Sequence, residues 1–176
     1  RFLFDYRKTL SDVLIQAYYE AARNVAHAAG LGIKSEAGGP GPPVHNVPVD
    51  SLLANNAVDE IQGEFWPFRP DADGLWVVKE TASAGHIYGK PRVHMEAFTS
   101  FEGWQEGPQD LKPSADRVFC EGGNHMVWHT WTHGPPEAGK PGWVYLAGTH
   151  INRNVTWWPQ VKPFIDYLSR SSFLLQ

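Results

Sequence analysis

Arg92-Val93-His94-Met95-Glu96-Ala97-Phe98 reads as a β-strand with Glu96 at its last inward position. Upstream, Ile61 to Trp66 and Leu31-Gly32-Ile33-Lys34-Ser35-Glu36 read the same way, the first around Glu64 and the second ending on Glu36. Downstream, His125 to Trp131 is a fourth strand, rich in Val, Trp and Thr, whose end falls near Trp128. Glu36, Glu64, Glu96 and Trp128 are 28, 32 and 32 residues apart. A (β/α)₈ barrel spends about 250 residues on eight units, or about 31 each.

The stretches between these strands read as helices. Leu10, Leu14, Ala17, Ala21, Val25 and Ala28 recur at helical steps over 6–29, with Gly30 as the stop. Residues 77–88 and 111–119 follow, and Phe164, Ile165, Leu168 and Phe173 give the last helix, 161–174, its apolar side. A Gly- and Pro-rich loop is expected over 38–48 and another over 134–141. Strands alternating with helices imply a parallel sheet. Four units make about half of a (β/α)₈ TIM-type barrel, an α/β fold. Half a barrel leaves two sheet edges and an uncovered interior. Residues 1–176 are therefore expected to form a single partial domain, the later half of a larger catalytic domain. Its first partner would be the remainder of that domain. Residue 1 is Arg rather than Met, and is not expected to be the natural start.

Composition excludes several classes. The chain is 42% hydrophobic and 19% charged, in the range of soluble globular proteins. Its net charge of −4 argues against nucleic acid, which demands a basic stripe. No apolar run is long enough to span a membrane, and the first residues lack the layout of a signal peptide. The lone Cys120 has no activating partner in sequence and is expected to be a buried thiol. The 8 Trp are costly to place unless buried and partnered, so each is expected either in a bulky core or as an apolar platform for the C–H faces of sugars in a cleft.

Barrel active sites form at the C-terminal ends of the strands. Glu36, Glu64 and Glu96 all sit there, against the low strand propensity of Glu. Such conflicts with local preference tend to mark function. Hydrolysis of a glycosidic bond needs two carboxyls, one as acid and one as base or nucleophile. Neighbouring strands lie about 4.8 Å apart, close enough for Glu64 and Glu96 to share a ligand, a metal or a proton. His125, His129 and His133 are spaced as zinc ligands on a helix would be. On a strand the same spacing spreads them too far for one ion, so His129 is expected to bond a sugar hydroxyl or a carboxylate, or to be a core or rim histidine. Lys79-Glu80 reads as a capping or surface pair, and Asn154-Val155-Thr156 as a weak glycosylation sequon.

Phe4-Asp5-Tyr6-Arg7, Ser35-Glu36-Ala37-Gly38-Gly39, Gly63-Glu64-Phe65-Trp66, Lys79-Glu80-Thr81-Ala82-Ser83, Glu96-Ala97-Phe98-Thr99-Ser100 and Thr156-Trp157-Trp158 occur in this order. The series, with Asp166-Tyr167-Leu168-Ser169-Arg170 near the end, resembles glycoside hydrolase family 106, the α-L-rhamnosidases. The resemblance implies a (β/α)₈ catalytic domain in a longer protein, an inverting mechanism and calcium near the sugar. It implies Glu96 as the base and Glu64 as a second site carboxylate that binds metal or water. Glu36, Trp66, His129 and Trp131 would then contact substrate. The family's acid lies on an earlier strand, in a segment like Asp-Ser-x-Glu that is absent here, so the isolated chain is expected to be nearly inactive. The whole protein would act on rhamnose-containing glycans or glycosides outside the cell or in the periplasm. Other readings are a β-galactosidase-like barrel glycosidase and a non-catalytic carbohydrate-binding protein.

Overall fold

The computed structural model describes residues 1–38, 47–67, 73–148 and 150–176. Most of the expected Gly- and Pro-rich loop 38–48 lies outside that set. Helix α1 (Phe2–Leu14) continues through a π-helical stretch, Ile15–Glu20, into α2 (Ala21–Ala28). Then come β1 (Lys34–Glu36), α3 (Ser51–Asn56), β2 (Glu60–Glu64), α4 (Asp73–Tyr88), β3 (Val93–Ala97), α5 (Pro108–Glu121), β4 (His125–Trp128) and α6 (Lys162–Leu175). The strands form one parallel sheet in the order β1-β2-β3-β4. This is the alternating parallel architecture expected of part of a (β/α)₈ barrel. None of the described helices is long and apolar enough to cross a membrane.

Side chains alternate across the sheet, and its two faces differ in kind. Ile61, Val93, Met95 and Ala97 point to the helices and are almost fully buried. Leu111, Ala115 and Val118 of α5 and Phe164 and Leu168 of α6 complete that core. Helix α4 comes unusually close. A Cβ on Gly63 would lie 2.7 Å from Thr81 Oγ1, and one on Gly85 would lie 2.9 Å from Val93 Cγ2. Gly85 sits inside a helix because the strand beside it leaves no room for a side chain. The opposite face carries Lys34, Glu36, Glu60, Gln62, Glu64, His94, Glu96 and His125. On it Glu60 meets Arg92 Nη1 at 3.6 Å and His94 Nε2 at 3.2 Å, and the His94 and His125 rings are 4.5 Å apart.

Polar latches hold the ends opposite the site. Asn124 Oδ1 accepts from Val93 N at 2.8 Å, while its Nδ2 donates to Pro91 O at 2.8 Å and Leu175 O at 3.1 Å. Lys90 Nζ donates to the carbonyls of Asn55 and Val58, tying the end of α3 to the start of β3. Asp59 Oδ2 accepts from Ile33 N at 2.7 Å, and that bond, with His27 beside it, holds the carboxyl below its usual range.

Four expectations are corrected. The first helix packs through Ser11, Ile15 and Tyr19, leaving Ala17, Ala21, Val25 and Ala28 of the expected stripe exposed. The π-helical insertion shifts the contact face away from a stripe counted at a uniform 3.6 residues per turn. Phe173, assigned to the apolar side of α6, is exposed. Cys120 is exposed, because the inward stripe of α5 runs through Leu111, Ala115 and Val118 and bypasses it. Lys79 pairs with Glu121 of α5 at 3.2 Å rather than with its neighbour Glu80. The sequence reading also lacked the short helix α3, which Asp50 caps by accepting from Leu53 N at 3.1 Å.

Candidate active site

Glu64 closes β2 and stands directly opposite Glu96 on β3. In-register partners on one face of neighbouring strands bring their side chains together without help from loops. Glu64 is buried, whereas the Glu96 side chain keeps 28% of its surface open. One residue past Ala97, Phe98 adopts φ of +62°, a left-handed conformation costly for a bulky L-residue. Its ring is fully buried and lies 5.2 Å from Phe65 and 5.5 Å from Trp128. That packing holds the chain in the strained turn, and the turn carries Thr99 toward β4.

His129 follows β4 and donates its backbone N–H to Ala97 O at 2.9 Å. Its Nδ1 lies 2.9 Å from Glu96 Oε1 and 3.0 Å from Thr99 Oγ1. The peptide between His129 and Thr130 is cis. Tyr145 covers the imidazole, with ring centroids 5.5 Å apart. Behind it, Gly148 lies so close that a Cβ there would stand 2.5 Å from His129 O.

Donor atoms of Glu64, Glu96 and His129 all lie within 4.8 Å of one another. Among the described residues this is the single cluster of three or more such groups. His125 and His133 do not join it. Glu36 stands apart at the end of β1, where Oε1 accepts from Gln62 Nε2 at 3.4 Å. Burial is the main force raising the Glu36 carboxyl, and the charge of Glu96 adds to it. Burial likewise raises Glu96, opposed by the Lys34 cation, and lowers His129, opposed by Glu36. Both shifts favour the neutral forms of the Glu96–His129 pair.

Trp66 is half-buried with its ring 5.1 Å from that of Phe101. Trp131 is 56% exposed and meets Trp158 edge-on at 5.4 Å. Sequence reasoning gave no role to Thr99, Tyr145 or Tyr19. Burial raises the Tyr19 hydroxyl, and the charge of Glu36 contributes to the shift. Only the left-handed turn at Phe98 puts Thr99 beside His129, and nothing in Glu96-Ala97-Phe98-Thr99 announces that turn. Tyr145 arrives from a loop without periodicity.

The family model for glycoside hydrolase family 106, described as alpha-L-rhamnosidase, matches residues 1–176. A protein of Formosa agariphila, whose name ascribes to it a beta-glucuronidase activity, is 34% identical over 180 residues. That alignment covers 100% of this chain and 14% of the relative. The solved structure of a rhamnosidase from Novosphingobium sp. PP1Y superposes with a TM-score of 0.87 at 34% identity. It accounts for 99% of this chain and 17% of its own. The chain thus spans a small fraction of the length of both.

Proposed function

The chain belongs to glycoside hydrolase family 106, and we propose from that premise that it supplies the water-activating side of an α-L-rhamnosidase site. The observation that carries the reading is the meeting of Glu64, Glu96 and His129 at the C-terminal ends of adjacent parallel strands. Glu96 is the base. It takes a proton from the water that attacks the anomeric carbon from the face opposite the leaving oxygen, which inverts the configuration. A base works best with its pKa near the working pH, and burial raises Glu96 in that direction. His129 Nδ1 fixes the carboxylate's orientation, and Thr99 Oγ1 steadies the ring. The acid that protonates the leaving group comes from elsewhere in the full-length protein, about 6.5–9.5 Å from the base. Glu36, Trp66 and Trp131 complete the sugar pocket.

Two neighbouring carboxylates suit calcium, which takes oxygen ligands; the imidazole does not belong in such a shell. Glu64, with Glu96 beside it, would hold the ion, while His129 stays hydrogen-bonded to Glu96. Bound there, calcium would orient oxygens of the sugar.

The test uses the full-length protein and an aryl α-L-rhamnoside. Glu96→Gln keeps the shape but removes the basic oxygen, so kcat should fall by about 10²–10⁴ while ground-state sugar binding survives. Glu64→Gln should weaken calcium or sugar affinity as well. A first product observed by NMR with retained configuration would overturn the mechanism. Near-normal kcat in Glu96→Gln with loss in Glu64→Gln would reverse the two roles. Because the Formosa agariphila relative is as similar over the whole chain, an aryl β-D-glucuronide belongs in the same assay as a second substrate class. Sugar binding without turnover of either would favour a non-catalytic role.

A further inference from the structure

Beyond His129 and Trp131, the proposed mechanism leaves unused the loop that follows β4. Residues 131–136, 139–143 and 152–154 enclose a cleft of about 740 Å³, within the size range of small-ligand sites. None of Glu36, Glu64 and Glu96 lines it. Its rim is nonetheless tied to the candidate site, since Trp131 lies two residues beyond His129, and Tyr145, from the strand of loop that returns, covers the His129 ring.

The chemistry of the lining is one-sided. Lys140, Arg153 and His133 are exposed on it, and it contains no carboxylate. Among the described residues, neither Lys140 nor Arg153 forms an ion pair. In a chain of net charge −4, a cleft whose ionisable side chains are all of basic type runs against the overall balance. Trp131 and Trp143 add exposed indole faces, the surface on which the C–H face of a pyranose stacks. The cleft is also held in shape. Asn154 Nδ2 donates to Pro141 O at 2.8 Å, which fastens one wall to the other, and its backbone N–H donates to Asn152 Oδ1 at 2.8 Å, which braces the turn it sits on.

We infer that this cleft is a subsite for an anionic sugar residue, a uronate or a sulfated pyranose. Arg153 and Lys140 hold the anionic group, the first through its planar fork of donors, and the indoles hold the ring. This rests on the rhamnosidase reading in one respect. An enzyme that removes a terminal rhamnose has every other sugar on the leaving-group side, so the anionic residue belongs to the part of the glycan that departs.

Direct titration separates this subsite from the catalytic reading, because it requires no turnover. Methyl β-D-glucuronide, methyl β-D-glucoside and its 6-sulfate would be titrated by NMR into the full-length protein and its Arg153→Gln/Lys140→Gln variant. A charged ligand should bind at least about tenfold more tightly than the neutral glucoside, with the preference lost in the variant. Tighter binding of the glucuronide assigns the site to uronates, and tighter binding of the sulfate ester assigns it to sulfated sugars. Equal affinities for charged and neutral ligands, or an undiminished preference in the variant, overturn the subsite. In the kinetic arm, the ratio of kcat/KM for α-L-rhamnosyl-D-glucuronate over α-L-rhamnosyl-D-glucose should fall toward one in the variant. If no rhamnoside is hydrolysed, the catalytic reading fails while the titration still decides the cleft.

Discussion

Replacing Asn124 by Ala should loosen the sheet at the end away from the chemistry. Asn124 is buried and makes three hydrogen bonds, to Val93 N, Pro91 O and Leu175 O. These losses are unequal. Val93 is 2% exposed, so its N–H would be left buried without an acceptor, which costs about 1–3 kcal/mol. Pro91 and Leu175 are exposed, so water can replace the amide at their carbonyls at little cost. A central expectation of about 2 kcal/mol corresponds to about thirty-fold faster opening. Hydrogen exchange of the β3 peptide in the full-length protein reads this locally, without requiring two-state unfolding of a long chain. Asn124→Asp divides the latch: it keeps the acceptor for Val93 but turns a second acceptor toward the carbonyls of Pro91 and Leu175. It should therefore release the end of α6 while Val93 stays protected. Unchanged exchange of Val93 in Asn124→Ala would refute this account of the latch.

Lys34→Gln removes the cation that opposes the rise of the Glu96 carboxyl, so the acid limb of the kcat/KM profile should move to higher pH; a move to lower pH would contradict the assignment of Glu96 as base. His94 is pushed down to about 4, chiefly by burial and then by His125, Lys34 and Arg92 against the pull of Glu60. Its neutral form is favoured by folding, so its contribution is fully present above about 6.5 and is lost as pH falls toward 4. Hydrogen exchange of β3 against pH should have a flatter slope over that window in His94→Gln. Gly63→Ala would press a methyl to 2.7 Å from Thr81 Oγ1 and should cost about 1–3 kcal/mol, read as a lower thermal midpoint. Adding Thr81→Ala should recover part of that loss, and a purely additive double variant would argue against the contact.

The strands were legible because their ends, three on a carboxylate and the fourth on Trp128, recur at nearly the spacing of one barrel unit, and all four pair in parallel as that rhythm requires. The convergence of Glu64 and Glu96 follows from the same regularity, since a parallel register places equivalent strand ends side by side. His129 was legible only as a partner of either a sugar hydroxyl or a carboxylate, and the structure gives it Glu96. Helix α3 was obscure because six residues are too few to display a period. The packing face of the first helix was misjudged because a π-helical turn breaks the count on which a stripe depends. Thr99 and Tyr145 were invisible because a strained backbone turn and an irregular loop bring them in, and neither leaves a periodic mark.

The two faces of this sheet separate what folding needs from what chemistry needs. Apolar mass lies on the helix side, where Gly63 and Gly85 leave no slack, and ionisable groups lie on the other, some buried like Glu64 and His94 and others half-open like Glu96. Change in the loops beyond the strand ends, where Trp131 and Trp143 are exposed, can therefore accumulate without first drawing on the margin of stability. A family built on such a layer can diversify the sugars it accepts while its scaffold drifts little, and the evolutionary record of such a domain should show fast-changing rims around a slow-changing outer seam.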